Sequence, residues 1–276
     1  MKYAVLHGGP AHRDEFIAVS LWMAARGVLP VFRRDPSPAE LADPAVLVVD
    51  VGGAHDPARN NYDHHQDRNL PAAFRLVAAA LGIDGLARSV YPWWEFASEA
   101  DTARLEALRS VGLSPGAGRK LADPLGGFLL RRLEEAPGDG PVPEAVIGLM
   151  HAFGRDLIGH LAETQERLDL LRERMRVEAL PAGLRVMVHD IRDNPALAMG
   201  ITRDAMADRP AASVTPDDRG DGWALCRFDD DPRIDFAVLA GHPDVAFAHP
   251  AGFVAKTRAV PLARALALVR QAVISR

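Results

Sequence analysis

Two apolar runs near the start of the chain end in groups that can bind or catalyse: KYAVLH reaches His7, and AVLVVD reaches Asp50. Short, continuous apolar runs of this kind predict strands buried on both faces, as in a parallel sheet. Between them FIAVSLWMAARG has helical spacing and a glycine stop, and PVFRRD predicts a further strand before the DPSPAELADP loop. This alternation predicts an α/β sheet. Residues 95–112 and 119–135 predict helices, and the glycine- and proline-rich APGDGPVPEA predicts a loop. Residues 143–178 are again helical in pattern, ending in the charged amphipathic AETQERLDLLRERMRVEA. Beyond LPAG the period changes, and RVMVHD, AASVTP, GWALCRF and DVAFAHPAG predict strands before a closing helix near residues 259–274. The expected organisation is a parallel-sheet domain over residues 1–160, a linker helix over 161–182 and a smaller α+β domain over 183–276. The sequence carries no internal repeat.

Composition narrows the function classes. Apolar residues make up 48% of the 276, ample for a core, and the formal charge of −5 excludes a generic basic coat for nucleic acid. Any contact with RNA or DNA must come from a local patch. The single cysteine, Cys226, excludes an internal disulfide, fits a reducing compartment and reads as a buried strand residue. The opening MKYAVLHGGPAHRDE turns polar too early for a secretory signal, and no apolar run approaches the ~20 residues needed to span a bilayer. A cytoplasmic protein without membrane contact is the expectation.

The candidate chemistry gathers in the first 65 residues. His12 and Asp14 follow His7 within one loop, and Asp50 runs into the glycines of VVDVGG, where the backbone can turn beneath a ligand. In open parallel sheets ligands collect at the carboxyl ends of strands, so the two loops should face each other. YDHHQ then adds Asp63, His64 and His65. Mixed imidazole and carboxylate donors suit Mn²⁺ or a similar divalent ion, and a shared carboxylate such as Asp50 can bridge two ions. That constellation points to hydrolysis of a phosphoryl bond. A strand-end aspartate alone is more often a cap, and HHQ alone a solvated loop; the conjunction carries the reading.

At these residues the sequence resembles the DHH phosphoesterase superfamily, and within it the melanocyte-proliferating-gene family of metal-dependent hydrolases and exonucleases. HGGPAHRDE and VVDVGGAHDPARNNYDHHQ are similar to that family's opening motifs, and FAHPAGFVAKTRAVPLARAL is similar to its His-x-x-Gly-Phe segment and following helix. The resemblance implies that His7, His12 and Asp50 hold one metal, and that Asp14, Asp50, His64 and Asp101 hold the other. It implies two manganese-type cations, with Mg²⁺, Co²⁺ or Zn²⁺ as alternatives. Asp63 would fix an imidazole, and His65 would protonate a leaving oxygen. Asp84 and Asp123 compete with Asp101. In the second domain His249, Gly252, Phe253, Lys256, Thr257 and Arg258 match the substrate side, although the loop is shorter than the family's and lacks a glycine pair.

After Asp244 the described sequence carries no acid, yet Lys256, Arg258, Arg264, Arg270 and Arg276 follow, and the first two are placed in a loop as phosphate clamps. Trp93 and Trp94 read as core rather than as a base-stacking platform. The implied activity is hydrolysis of phosphodiesters in nucleotides or short RNA or DNA. A phosphatase of small molecules such as pyrophosphate, and a non-catalytic metal- or nucleotide-binding regulator, are the alternatives.

Overall fold

A computed structural model describes residues 1–120, 123–136, 140–192 and 195–274. The predicted loop at 136–145 and the helix predicted over 119–135 fall partly outside them, as does Arg276. The chain divides into two compact units, Met1–Ala162 and Glu163–Arg276.

The first unit runs β1 (Tyr3–Leu6), α1 (Arg13–Arg26), β2 (Val31–Arg33), α2 (Pro38–Ala42), β3 (Val46–Val49), β4 (His55–Asp56) and β5 (Asn61–Tyr62). Helices follow: α3 (Ala73–Ala80), α4 (Asp84–Val90), α5 (Trp94–Thr102), α6 (Arg104–Ser110), α7 (Pro115–Lys120), α8 (Pro124–Glu134) and α9 (Glu144–Arg174). The sheet order is β2-β1-β3-β5-β4, with β1 parallel to both β2 and β3 and only β4 antiparallel. Central β1 and β3 are buried almost throughout, as their unbroken apolar runs predict.

The predicted helix over 95–112 is broken at Ala103, whose φ/ψ of −149°/55° is non-helical. Within the region predicted as helix over 119–135, α8 begins at Pro124, where proline's fixed φ suits the first turn and Asp123 caps the amides of Leu125 and Gly126. Helix α9 stops at Arg174, short of the expected 178, because Arg176–Ala179 forms a strand.

Helix α1, which presents His12 and Asp14, is seated by a close approach of α9. A Cβ built on Gly154 would stand 1.9 Å from the Ser20 carbonyl oxygen. Only glycine permits that crossing. Gly154→Ala is expected to cost about 1–3 kcal/mol through forced separation of the helices. Urea unfolding should show a lower midpoint; an unmoved midpoint would mean that the crossing adjusts freely.

The second unit runs β6 (Arg176–Ala179), β7 (Arg185–Val188), α10 (Ala196–Asp204), β8 (Ala212–Pro216), β9 (Trp223–Arg227), β10 (Val245–Ala248), β11 (Val254–Thr257) and α11 (Leu262–Gln271). Its sheet order is β10-β11-β9-β8-β7-β6, mixed, with β7 parallel to β8. Val186, Val188, Ala212, Val214, Leu225 and Ala255 pack with Leu266, Leu268 and Val269 of α11 in one core. The fold is thus α/β in the first unit and α+β in the second. Among the described residues no helix is long and apolar enough to cross a membrane.

Candidate metal centre

The carboxyl ends of β1 and β3 deliver His7 and Asp50 side by side, because the two strands pair in parallel with Leu6 beside Val49. Asp50 sits at φ 60°, a left-handed backbone that aspartate tolerates better than most residues. Its amide donates to the Tyr62 carbonyl at 3.0 Å, and the Asp63 amide donates to the Ala54 carbonyl at 3.0 Å. These two bonds bring the Asp63-His64-His65 stretch against Asp50. Helix α1 supplies the remainder: Asp14 and Glu15 lie in its first turn, where the helix dipole favours acids, and Glu15 accepts the His12 amide at 3.0 Å.

The Asp50 carboxylate stands between two sets of donors. Its Oδ2 is 3.7 Å from His7 Nε2 and 4.0 Å from His12 Nδ1, while its Oδ1 is 3.2 Å from His64 Nε2 and 3.7 Å from His65 Nδ1. His64 Nε2 is also 3.5 Å from Asp14 Oδ2 and 3.2 Å from Asp101 Oδ2. Three overlapping groups therefore have ligand atoms all within 4.8 Å of one another: His7, His12 and Asp50; Asp50, His64 and His65; and Asp14, His64 and Asp101. Asp84 is engaged elsewhere, by Arg75 at 2.8 Å and by the Trp94 indole at 2.8 Å, and Asp123 caps α8. Of the three competing aspartates, Asp101 is the one beside His64.

The donor set fits a divalent cation on a second count. Asp50 is 1% exposed, yet neither carboxylate oxygen has a hydrogen-bond partner, and His64 Nε2 is equally unpartnered. Buried polar atoms are normally satisfied, and a set of them converging in one place is what a cation would satisfy. Burial and the charges of Asp50 and Asp101 push the Asp14 carboxyl well above the usual carboxylate range. Burial alone would lower His64, but the carboxylates of Asp101, Asp50 and Asp14 that face it push it up to about 10. In the ion-free protein its proton stands where positive charge is wanted, and a bound cation must displace it.

The remaining predicted residues are also accounted for. Asp63, 1% exposed, accepts the Gly53 amide at 2.6 Å and bonds His65 Nδ1 at 2.7 Å, so it orients that ring. His65 is itself more than half exposed and lines, with His7, His12, Asp50 and Asp63, a cavity of about 460 Å³.

The second-unit residues are less available than a loop placement predicts. Lys256 is on strand β11 and its ammonium is ion-paired with Asp217. Thr257 is buried, its hydroxyl accepting the Trp223 amide at 2.9 Å and donating to the Arg258 carbonyl at 2.8 Å. Arg258 is exposed and donates through Nε to the Pro243 carbonyl at 3.1 Å. Arg264 pairs with Asp244 and Arg270 approaches Glu178, so the basic C-terminal stretch is largely compensated. His249 accepts the Ala251 amide at 3.1 Å and packs on Phe253, with ring centroids 4.2 Å apart. Gly252, at φ 70°, allows no Cβ, which would strike Asp235. Phe253 remains exposed.

Two groups at the centre escaped the sequence reading. Glu15, wholly buried, leaves Oε2 3.8 Å from His7 Nε2 while Oε1 accepts from Arg33 at 3.1 Å; burial outweighs the Arg33 charge and pushes its carboxyl up to about 7. Glu134 accepts the Ala11 amide at 2.8 Å and fixes the loop before His12. A buried Glu-Arg pair and a helix-end carboxylate leave no local signature.

Comparison with known proteins meets this same segment. Residues 4–81 match the MYG1_exonuc family model, described as an uncharacterised protein family (UPF0160). Proteins named MYG1 exonuclease from Bos taurus, Rattus norvegicus and Homo sapiens are each 42% identical over 67 residues, 22% of this chain and 16% of the relative. The matched stretch therefore spans less than one fifth of those relatives' length. A solved structure titled as a member of the s1p family of ribosomal proteins, DHH domain, aligns over 98% of this chain and 86% of its own at a TM-score of 0.33 and 14% identity, too slight a likeness to carry an argument. Over the segment that holds His7, His12, Asp14, Asp50 and the Asp63-His64-His65 triplet, the chain is similar to the proteins of the MYG1_exonuc family model.

Proposed function

We propose that the chain is a metal-dependent phosphoesterase that hydrolyses phosphodiester bonds of nucleotides or short RNA or DNA, exonuclease-like, with two manganese-type cations. The observation that carries this reading is the Asp50 carboxylate, buried and unpartnered, with one oxygen turned to His7 and His12 and the other to His64 and His65. A carboxylate so placed suits a bridge between two ions. His7, His12 and Asp50 would hold one, and Asp14, Asp50, His64 and Asp101 the other. When bound, such a pair supplies a hydroxide nucleophile and neutralises phosphate oxygens.

The protein's own groups do the rest. Asp14 accepts the amides of Ala73 at 2.7 Å and Phe74 at 2.5 Å, which locks its carboxylate in place. Asp63 holds His65 through Nδ1, leaving Nε2 as the atom that exchanges a proton with a leaving alkoxide. The buried sheet ends exclude water from behind Asp50, where electrostatic interactions gain strength.

The test is turnover by the full chain, with and without Mn²⁺, of bis(p-nitrophenyl) phosphate, p-nitrophenyl phosphate and pyrophosphate. Diester hydrolysis that EDTA abolishes and Mn²⁺ restores is expected. Preference for pyrophosphate would favour the small-molecule phosphatase, and bound manganese without turnover of any substrate would favour a regulator.

A further inference from the structure

The sheet of the second unit places only one face in its main core. Ala212, Val214, Leu225 and Ala255 point into that core. The opposite face carries Ser213, Thr215, Ala224, Cys226, Val254 and Lys256. Ser213 pairs across with Cys226 and Cys226 with Val254; Thr215 pairs with Ala224 and Ala224 with Lys256. These positions floor a cavity of about 290 Å³, walled by Met199 of α10 and by His189 and Phe228. Its size falls just under the ~300 Å³ at which small-molecule sites usually begin.

Two buried polar side chains in this lining each leave an atom without a partner. Ser213 is 1% exposed and its hydroxyl bonds nothing. His189 is 2% exposed; its Nδ1 accepts the Ile191 amide at 3.2 Å, which puts the ring proton on Nε2, and Nε2 has no acceptor. Two such donors without a protein acceptor favour a ligand that accepts from both. Burial lowers the His189 pKa, so the ring is a neutral donor near pH 7.

The charges decide what kind of ligand fits. Lys256 is the one cation among the described lining residues, and Asp217 already neutralises it, with the carboxylate of Asp218 nearby. A phosphate or carboxylate would enter against two acids. A neutral ring with acceptors for His189 and Ser213, N–H donors for Asp217 and apolar faces for Met199 and Val254 meets no such opposition. We propose that this cavity binds a neutral, planar nitrogen heterocycle of nucleobase size, accepting hydrogen bonds from His189 Nε2 and Ser213 Oγ.

The proposal stands on residues of the second unit alone, so it holds or fails apart from the reading of the metal centre. The experiment is calorimetric titration of the full chain in EDTA with adenosine, guanosine, cytidine and uridine, which carry a base and no phosphate, and with inorganic phosphate as the anionic probe. Binding of at least one nucleoside is expected. Ser213→Ala should weaken it roughly 5-fold, the loss of one hydrogen bond, without lowering the thermal midpoint, since that hydroxyl has no partner in the free protein. Met199→Trp, which fills the cavity, should abolish it. No nucleoside binding at millimolar concentration, nucleoside binding unchanged in both variants, or inorganic phosphate binding that Ser213→Ala removes would each overturn the proposal. Turnover of base-free bis(p-nitrophenyl) phosphate by the unaltered chain reports separately on the metal centre.

Discussion

Asp50→Asn is expected to empty both halves of the metal centre at once. Asparagine keeps the shape and tolerates the φ of 60° at this position, so the backbone has no reason to move. What it loses is charge on the one group whose two oxygens face two different sets of imidazoles. An amide offers one neutral oxygen and an NH₂ that repels a cation. Elemental analysis after dialysis against Mn²⁺ should find both equivalents lost rather than one. The stabilisation that added Mn²⁺ gives the unaltered protein, about 2.7 kcal/mol per site at a hundredfold excess over Kd, should vanish from thermal melts. Diester turnover should fall by on the order of 10³-fold or more, since cations are worth several kcal/mol to a phosphoryl transition state. Retention of one full equivalent would show that the two donor sets act independently and that Asp50 belongs to one of them.

His65→Asn should separate chemistry from metal binding. Its ring is stacked on His64 at a centroid distance of 4.4 Å but is much the more exposed of the two, and its Nδ1 is committed to Asp63 at 2.7 Å. Metal content should therefore persist while kcat falls by roughly 10² to 10⁴-fold, the usual worth of a positioned proton donor. The loss should shrink with a substrate whose leaving group needs no proton, such as p-nitrophenolate, and be full with a nucleoside leaving group. An equal loss on both would make His65 a ligand or a structural residue instead.

The parts of the fold and site that were legible in the sequence are those where one physical signal dominates. The apolar runs ending at His7 and Asp50 could be read because buried parallel strands need unbroken hydrophobicity, and because such strands end where ligands gather. His12, Asp14 and His64 followed from proximity in the chain. Asp101 was different. It lies in the last turn of α5, carries no local mark, and was separated from Asp84 and Asp123 only by seeing which aspartates had other partners.

Strand β11 was hidden because Val254–Thr257 is four residues long, begins just past a glycine turn and carries a lysine, and so resembles loop. Strand β6 was hidden by Arg176–Ala179, whose charges continue the helical pattern of α9. Both are short strands whose identity comes from their pairing partners, β9 across about thirty positions for β11 and the neighbouring β7 for β6. Glu15 was in plain view, but that it is buried against Arg33 is a tertiary fact.

The distances along the chain within the metal centre have a consequence for how the molecule comes to exist. Asp14 meets the Ala73 amide across 59 positions, and His64 stands beside an aspartate 37 positions further on. Closing loops of that length must be preceded by β1 and β3 finding their register across a helical crossover, which is slow relative to local structure. In a zinc finger the ligands sit close enough in sequence for the ion to nucleate the fold. Here a cation would meet no assembled set of ligands until the sheet has formed, so it would arrive at a finished framework and tighten it. Metal would then slow the unfolding of this chain far more than it could hasten the folding.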